Sequence, residues 1–220
     1  MIRIICLLIG YCCGLFQTSY IYGKTQGIDI RELGSGNAGT TNALRELGVK
    51  AGAITFIGDC LKCVVAVLLV KLIFGNSHAE YIKLLGLYAG AGTILGHNFP
   101  FYMKFQGGKG IAATAGLVLS FDLRLTLIAL VTFLLAFFVT KFVSLGSLLV
   151  YVVFLTGMIV FGQIGMFNME QHYLNEMYLV TFLLMLLAFY RHKENIKRLL
   201  KGTENKTYLS KKNRKEKAEE

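Results

Sequence analysis

The sequence has no tryptophan, a single proline (Pro100) and few acidic residues, 13 Asp and Glu against 23 Lys and Arg. The acids in its predicted cytoplasmic loops are Asp29, Glu32 and Glu46, while Asp59 lies in an apolar helical stretch. A metal-dependent phosphotransferase needs several acids that converge on one ion. The scarcity of acids argues against that class of enzyme, and we expect neither a metal nor another cofactor.

Three common catalytic motifs are also absent. None of the four histidines has an aspartate five positions later, so the H-x-x-x-x-D pair usual in glycerolipid acyltransferases is missing. There is no G-x-S-x-G nucleophile elbow. Lys109 is followed by glycine, not by the Ser or Thr of a Walker A loop. A catalytic site in this chain would therefore work without an obvious protein general base.

The five cysteines do not indicate a disulfide framework. All of them lie in apolar stretches, where a thiol acts as a small hydrophobic side chain. Cys60 and Cys63 have the spacing of a metal or redox pair, but no second pair and no histidine accompanies them. We interpret them as buried structural thiols.

Apolar residues are abundant, at 55% of the 220 residues, and the mean hydropathy is +0.56. Stretches near the length that crosses a bilayer recur along the chain. They cover residues 2–22, 51–75, 82–99, 111–121, 124–140, 143–165 and 176–190. The sequence therefore predicts an all-α integral membrane protein with one domain over 1–206. A charged cytoplasmic tail over 207–220 is expected to be disordered.

The charges of the loops predict the orientation. Segment 191–220 holds eleven Lys and Arg against five acids, whereas 167–176 holds two acids and no Lys or Arg. Positively charged loops stay in the cytoplasm, so 191–220, 23–50 and 100–110 are predicted inside and 167–176 outside. A loop inside and a loop outside must be separated by an odd number of crossings. About seven transmembrane helices, some of them short, satisfy this requirement with the N-terminus outside and the C-terminus cytoplasmic. The same rule accounts for the basic tail, so we predict no binding to nucleic acid.

The first polar segment on the predicted inner face is GSGNAGTTNALRELG, residues 34–48. Its glycines permit positive φ and close approach of backbone N–H groups to a ligand. A short helix should follow, and its N-terminus would favour an anion. Thr41 and Arg45 are four residues apart and can face one ligand. The alternative is a glycine-rich turn that caps a surface helix.

Two further polar segments fall on the same face. In GHNFPFYMKFQGGKG, residues 96–110, Lys109 lies between glycines, so backbone donors and an ammonium could surround a phosphate. For Lys104 and Lys109 the alternative is snorkelling at the membrane edge. In RHKENIKRLLKGTENK, residues 191–206, His192 and Asn195 would share a helix face. The alternative there is an ordinary solvated basic helix.

Together the three segments resemble, in order and spacing, the three motifs of the bacterial acyl-phosphate:glycerol-3-phosphate acyltransferases, the PlsY family. The resemblance covers roughly residues 10–206 and includes Asp59 and Lys62 in GDCLK. It implies a seven-helix enzyme of the bacterial inner membrane with its active site facing the cytoplasm. The implied reaction moves a fatty acyl group from acyl-phosphate to the 1-hydroxyl of sn-glycerol 3-phosphate, the first step of phospholipid synthesis. Its products are lysophosphatidic acid and phosphate, and an enzyme supplying acyl-phosphate could lie nearby.

The resemblance also implies roles for individual residues. The implied catalytic residues are Ser35, Arg45, His192 and Asn195. The implied binders of glycerol phosphate are Lys104, Gly107, Gly108 and Lys109, and Glu204 is implied to be structural. From the chemistry of the two loops we add Gly36, Asn37, Thr41, Asn42 and Gly110 as substrate-binding residues, and we expect no metal ligands.

Both implied substrates carry phosphate, which would explain two loops that combine glycines with cations. An acyl-phosphate is already activated, so the donor's own phosphate can serve as the base. One rival function is a membrane transporter of a phosphorylated anion, which would place charges near the bilayer midplane, where Asp59 and Lys62 are the candidates. A second rival is an acyl-Ser35 intermediate, which predicts ping-pong kinetics.

Overall fold

The computed structural model describes residues 1–208, which form helices joined by turns and loops. The α-helices are α1 Ile2–Gly14, α2 Thr18–Thr25, α3 Thr40–Glu46, α4 Val49–Phe74, α5 Ile82–Asn98, α6 Ile111–Phe121, α7 Leu123–Thr140, α8 Val143–Gln163, α9 Gln171–Arg191 and α10 Lys193–Leu200. The prediction of an all-α architecture is confirmed. Of the predicted tail, Thr207 and Tyr208 are described, and residues 209–220 lie outside the described part.

Five helical segments in 1–208 are long and apolar enough to cross a membrane. They are Ile2–Thr25, Val49–Phe74, Leu123–Thr140, Val143–Gln163 and Gln171–Arg191. Helix α5 has 17 residues and α6 has 11. The outer surface of these helices is apolar: Leu72 and Val139, for example, are 81% and 80% exposed. Such a surface is suited to lipid chains and not to water.

Helices α1 and α5 cross at very short range because both carry glycine where they meet. A β-carbon on Gly10 or Gly14 would overlap the backbone of α5, and one on Gly92 or Gly96 would overlap that of α1. The spacing of each pair is the small-xxx-small pattern by which helices approach closely in membranes. This contact places the end of α5, and the loop that follows it, beside the break between α1 and α2.

The predicted first span, 2–22, is broken at Gln17. Its fully buried side-chain amide donates hydrogen bonds to the carbonyl oxygens of Gly14 (3.2 Å), Gly96 (3.3 Å) and His97 (3.1 Å). Carbonyls in the last turn of a helix lack partners within the helix, and Gln17 satisfies those of α1 and α5 together. The chain therefore turns here and restarts as α2, which hydropathy alone could not indicate.

The two ends of the helix bundle make different contacts. Near the start of α9, Glu176 accepts a 2.7 Å hydrogen bond from Nη2 of Arg3, while Arg191 at its far end contacts the loop after α5. A helix rises 1.5 Å per residue, so these contacts are about 22 Å apart. The start of the chain thus lies at the end of the bundle opposite the polar loops.

Candidate active site

An open cavity of about 860 Å³ lies among the three polar segments identified in the sequence. Its walls come from residues 34–46, from 106–109 and from 191–206, which are far apart in the chain. Five cations line it: Arg45, Lys109, Arg191, Arg198 and Lys206. Glu46 and Glu194 are the two acids of the lining. The excess of cations makes the cavity a favourable place for phosphate groups.

Asn42 holds the first glycine segment in place. Its Oδ1 accepts hydrogen bonds from the backbone N–H (3.0 Å) and the hydroxyl (3.2 Å) of Ser35. Its Nδ2 donates to the carbonyl oxygens of Ile30 (3.2 Å) and Leu33 (3.0 Å). Ser35 is exposed to the cavity, but its hydroxyl donates to an amide oxygen, which is not a base. This geometry gives no support to Ser35 as an activated nucleophile.

Helix α3 lines the cavity with its side and not with its N-terminal end. Asn42, Arg45 and Glu46 line the cavity, whereas Thr41, expected to share a ligand with Arg45, is half-buried away from it. Nη2 of Arg45 donates to the carbonyl oxygen of Asn205 (3.1 Å) and to Oγ1 of Thr207 (2.6 Å). Arg45 therefore joins the first motif to the C-terminal end of the described chain.

Gly107 and Gly108 contribute close packing. Their backbone N–H groups donate to the carbonyl oxygens of Asn98 (3.2 Å) and His97 (3.1 Å), so they are not directed at a ligand. Their own carbonyl oxygens accept from Nη2 of Arg191, at 3.1 and 2.7 Å. A β-carbon on Gly108 would overlap Nε2 of His97. In this structure glycine is needed there because the loop rests directly on the end of α5.

Lys109 joins the second motif to the third. Its ammonium donates a hydrogen bond to Oδ1 of Asn195, whose Nδ2 donates to Glu204 at 2.9 Å. Glu204 also accepts from Nε of Arg198 at 2.9 Å, so it braces two residues of the cavity wall. Burial of Lys109, reinforced by the positive charge of Arg198, lowers the pKa of its ammonium to about 8. A fraction of Lys109 can thus lose its proton near physiological pH.

His192 is buried behind this wall and does not line the cavity. Its Nδ1 lies 2.8 Å from the carbonyl oxygen of Ala188, and because a carbonyl only accepts, Nδ1 carries the proton. Burial, with the nearby charge of Lys109 as a second cause, lowers the pKa of His192 to about 4. The imidazole is therefore neutral at pH 7, with its lone pair on Nε2.

The described structure separates the predicted site residues into two groups. Ser35, Gly36, Asn37, Asn42, Arg45, Gly107, Lys109 and Asn195 line the cavity. Thr41, Lys104, Gly108, Gly110, His192 and Glu204 do not. Lys104 is exposed at a left-handed turn, with φ of 53°. Gly110, with φ of 80°, is the N-cap of α6.

Sequence reasoning missed several cavity residues. They are Gly34, Glu46, Gln106, Arg191, Glu194, Arg198, Asn205 and Lys206. Arg198 could have been identified, because it lies three residues after Asn195 on α10 and so shares its helical face, and Arg191 could have been suspected as the cation that ends α9. The C-terminal residues 205 and 206 carried no comparable signal.

A buried polar cluster lies beneath the glycine loop. Nζ of Lys62 contacts Oδ1 of Asp59 (2.9 Å), the carbonyl oxygen of Phe16 (2.6 Å) and Nδ1 of His97 (2.9 Å). An ammonium has three donors, and each of them has an acceptor here. Nδ1 of His97 is therefore the acceptor, and the ring proton is on Nε2, the atom beside Gly108. This cluster fixes the imidazole on which the loop packs.

Within residues 1–208 there is no group of three or more His, Cys, Asp or Glu side chains that could hold a metal ion. The buried Asp59 is paired with Lys62, and the acids that line the cavity, Glu46 and Glu194, are exposed. The site thus brings together cations, amides, one hydroxyl and two exposed acids.

Residues 4–202 match the model of the glycerol-3-phosphate acyltransferase family. Relatives of that name include one from Thermoanaerobacter sp. (strain X514), 42% identical over 207 residues that cover 94% of this chain and 96% of the relative. Another, from Bacillus subtilis (strain 168), is 39% identical over 207 residues, covering 94% and 98%.

The fold is similar to crystal structures of PlsY (YgiH), described as an integral membrane glycerol 3-phosphate acyltransferase. The glycerol 3-phosphate form matches with a TM-score of 0.80 and 29% identity over 94% of this chain and 96% of that one. The lysophosphatidic acid form matches with a TM-score of 0.78 and 28% identity over the same shares of both chains.

Proposed function

The chain belongs to the glycerol-3-phosphate acyltransferase family, and we propose that its cavity transfers a fatty acyl group from acyl-phosphate to the 1-hydroxyl of sn-glycerol 3-phosphate. The family predicted from three motifs is confirmed: the chain is a multi-pass membrane enzyme that acylates glycerol 3-phosphate in phospholipid synthesis. Beyond the family, we propose the identity of the acyl donor, the hydroxyl that is acylated, a mechanism without a metal and the roles of individual residues. The observation that carries it is the single cavity at which all three motifs meet, lined by five cations.

The reaction requires two phosphate groups to be held near each other. The 1-hydroxyl attacks the acyl carbon and forms an ester bond, and the bond from that carbon to the phosphate oxygen breaks. The hydroxyl proton passes to the donor's phosphate, which leaves as inorganic phosphate. We assign phosphate binding to Arg45 and Lys109, which line the cavity; one donor aimed at developing charge is typically worth about 3 kcal/mol. Asn195 acts through Lys109, whose ammonium donates a hydrogen bond to Oδ1 of Asn195.

The protonation states support a role for the substrate as its own base. His192 has its pKa lowered to about 4 by burial, so it is a weak proton acceptor at neutral pH. Glu204 is occupied by Asn195 and Arg198. Exposed Glu194 contacts Lys197 at 3.2 Å, a solvated pair at the edge of the cavity. We assign the proton to the acyl-phosphate, while His192 and Glu204 hold the cavity wall in position.

We propose seven crossings of the bacterial inner membrane, with the N-terminus outside and the cavity facing the cytoplasm. The helix α6 ends near the same end of the bundle as α4, since Lys71 donates to the carbonyl oxygen of Ser120 at 2.9 Å. The carbonyl oxygen of Lys141, directly after α7, accepts a hydrogen bond from the N–H of Thr207. This contact supports a path in which α7 returns the chain to the cavity side. Short α6 would then make one crossing by itself, and α7 would make the return crossing.

The rival reading as a transporter receives little support from the buried charges. Asp59 and Lys62 are at most 7% exposed and bind each other, Phe16 and His97, in a closed cluster. Transport charges would be expected along a path through the bundle.

The proposed function is tested by giving purified protein acyl-phosphate and glycerol 3-phosphate in the presence of EDTA. We expect release of inorganic phosphate that depends on both substrates, with lysophosphatidic acid formed in equal amount. A transporter would instead accumulate glycerol 3-phosphate in sealed liposomes without acyl transfer. Phosphate release that requires added Mg²⁺ would contradict the metal-free mechanism.

The lowered pKa of Lys109 predicts a loss of kcat/KM for glycerol 3-phosphate as the pH rises. The ammonium is charged below a pKa of about 8 and neutral above it, so phosphate binding weakens through that range. In Lys109→Arg the guanidinium stays charged, so we expect its alkaline decline to disappear. Steady-state pH profiles of both proteins test this. Superimposable alkaline limbs would rule out Lys109 as the titrating group.

A further inference from the structure

The segment after α10 forms one wall of the cavity and reaches the first motif. We call residues 204–207 the C-terminal strap. Glu204 binds Asn195 and Arg198, and both Asn205 and Lys206 line the cavity. Thr207 is only 2% exposed, and its N–H donates to the carbonyl oxygen of Lys141 at 3.0 Å. The strap is therefore fastened at both ends.

The strap also contacts Arg45. Nη2 of this guanidinium donates to Oγ1 of Thr207 at 2.6 Å and to the carbonyl oxygen of Asn205 at 3.1 Å. A guanidinium is planar, so two acceptors at one nitrogen constrain the orientation of the whole group. Arg45 is the cation that α3 contributes to the cavity. The hydroxyl of Thr207 is held in place by the backbone bond to Lys141, which makes it a fixed acceptor.

We infer that Thr207 is a positioning residue for the acylation of glycerol 3-phosphate, because its hydroxyl orients Arg45 toward the phosphate. This inference rests on the proposed role of Arg45 in the cavity. Thr207 lies beyond residue 202, where the match to the family model ends. It also follows directly after the third segment, 191–206, so the three segments omit this residue of the C-terminal strap.

The chemistry of the threonine side chain allows a clear test. Thr207→Val keeps the shape and removes the acceptor, whereas Thr207→Ser keeps the acceptor and removes the methyl group. If the hydroxyl orients Arg45, Thr207→Val should lower kcat/KM for glycerol 3-phosphate about tenfold, the size expected for one hydrogen bond to a charged group. The loss should come from a higher KM for glycerol 3-phosphate, with an unchanged KM for acyl-phosphate. Thr207→Ser should remain within about twofold of the unsubstituted protein.

Thr203→Val is the matched control, since Thr203 is exposed in the turn just before the strap and its backbone N–H bonds to Arg198. It should leave all kinetic constants and the thermal midpoint of unfolding unchanged. The inference is overturned if Thr207→Val equals the unsubstituted protein, or if Thr207→Ser loses as much as Thr207→Val. It is also overturned if the loss follows a lower thermal midpoint or a higher KM for acyl-phosphate.

Arg45→Ala, measured in parallel, separates this inference from the proposed function. A large loss in Arg45→Ala with a normal Thr207→Val overturns the strap inference and leaves the proposed function standing. If Arg45→Ala itself has normal constants, the proposed role of Arg45 fails, and the inference fails with it. A shared rise in KM for glycerol 3-phosphate in both variants supports both.

Discussion

Arg45→Ala is expected to lower kcat/KM for glycerol 3-phosphate by about a hundredfold or more, the usual effect of removing a donor to developing charge. Arg45 is the cation of α3 in the cavity, and it is oriented by Asn205 and Thr207. Arg45→Lys should recover only part of this loss, because an ammonium keeps the charge but lacks the planar fork. The measurement is steady-state acyl transfer with each substrate varied in turn.

Arg31→Ala is the control for this experiment. Arg31 lies in the same segment between α2 and α4, pairs with Asp29 at 2.7 Å, and is not a lining residue of the cavity. We expect its kinetic constants to change by less than about threefold, as for most surface substitutions. An Arg45→Ala protein that keeps normal kinetics would remove Arg45 from the site. Equal losses in both variants would indicate a disturbed loop and not a lost phosphate contact.

The sequence allowed the convergence of the three motifs to be predicted because each has its own local signature. Two loops predicted on the same side of the membrane each combine glycines with cations. This pattern is sufficient to indicate a shared phosphate site. Arg45, Lys109 and Asn195 do meet at one cavity, as this reasoning required. Lys104 carried the same type of signal, but it is exposed away from the cavity.

The sequence could not reveal hydrogen bonds between residues that are far apart in the chain. The amides of Gly107 and Gly108 are bonded to the end of α5, which depends on how α5 ends and not on the glycines themselves. The break at Gln17 depends on carbonyl oxygens of α5, about 80 residues away in the sequence. Periodicity and composition carry no information about such contacts, so these features required the three-dimensional structure.

The contacts also explain how flexible glycine segments can form a defined site. Asn42 fixes the first segment through four hydrogen bonds, and Arg191 fixes the second through two carbonyl oxygens. Glu204 fixes the third through Asn195 and Arg198. Asn42 and Glu204 thus hold their own segments, and Arg191 of the third segment holds the second, which preorganises the cations before substrate arrives.

The second large effect is expected for Lys62→Met. The substitution would leave the buried carboxylate of Asp59 with Thr18 as its remaining donor at 2.9 Å, and Oδ2 of Asp59 already lacks a hydrogen-bond partner. Removing one partner of a buried ion pair typically costs about 3–5 kcal/mol. His97 would also lose the donor to Nδ1 that fixes its ring beneath Gly108. We therefore expect a clearly lower thermal midpoint of unfolding and a strong loss of acyl transfer.

A double substitution separates these two consequences. Asp59→Asn combined with Lys62→Met removes both charges, so most of the lost stability should return, because replacing a whole buried pair is often close to neutral. His97 would still lack its donor from Lys62, so acyl transfer should recover less than stability does. Lys71→Met on the same helix is the control: Lys71 donates a hydrogen bond to the carbonyl oxygen of Ser120, and losing it should cost about 1 kcal/mol. If Lys62→Met is no less stable than Lys71→Met, the cluster does not hold the loop. If stability and activity recover to the same extent in the double variant, the orientation of the His97 imidazole does not affect acyl transfer. Lys62 would then contribute only to the stability of the fold.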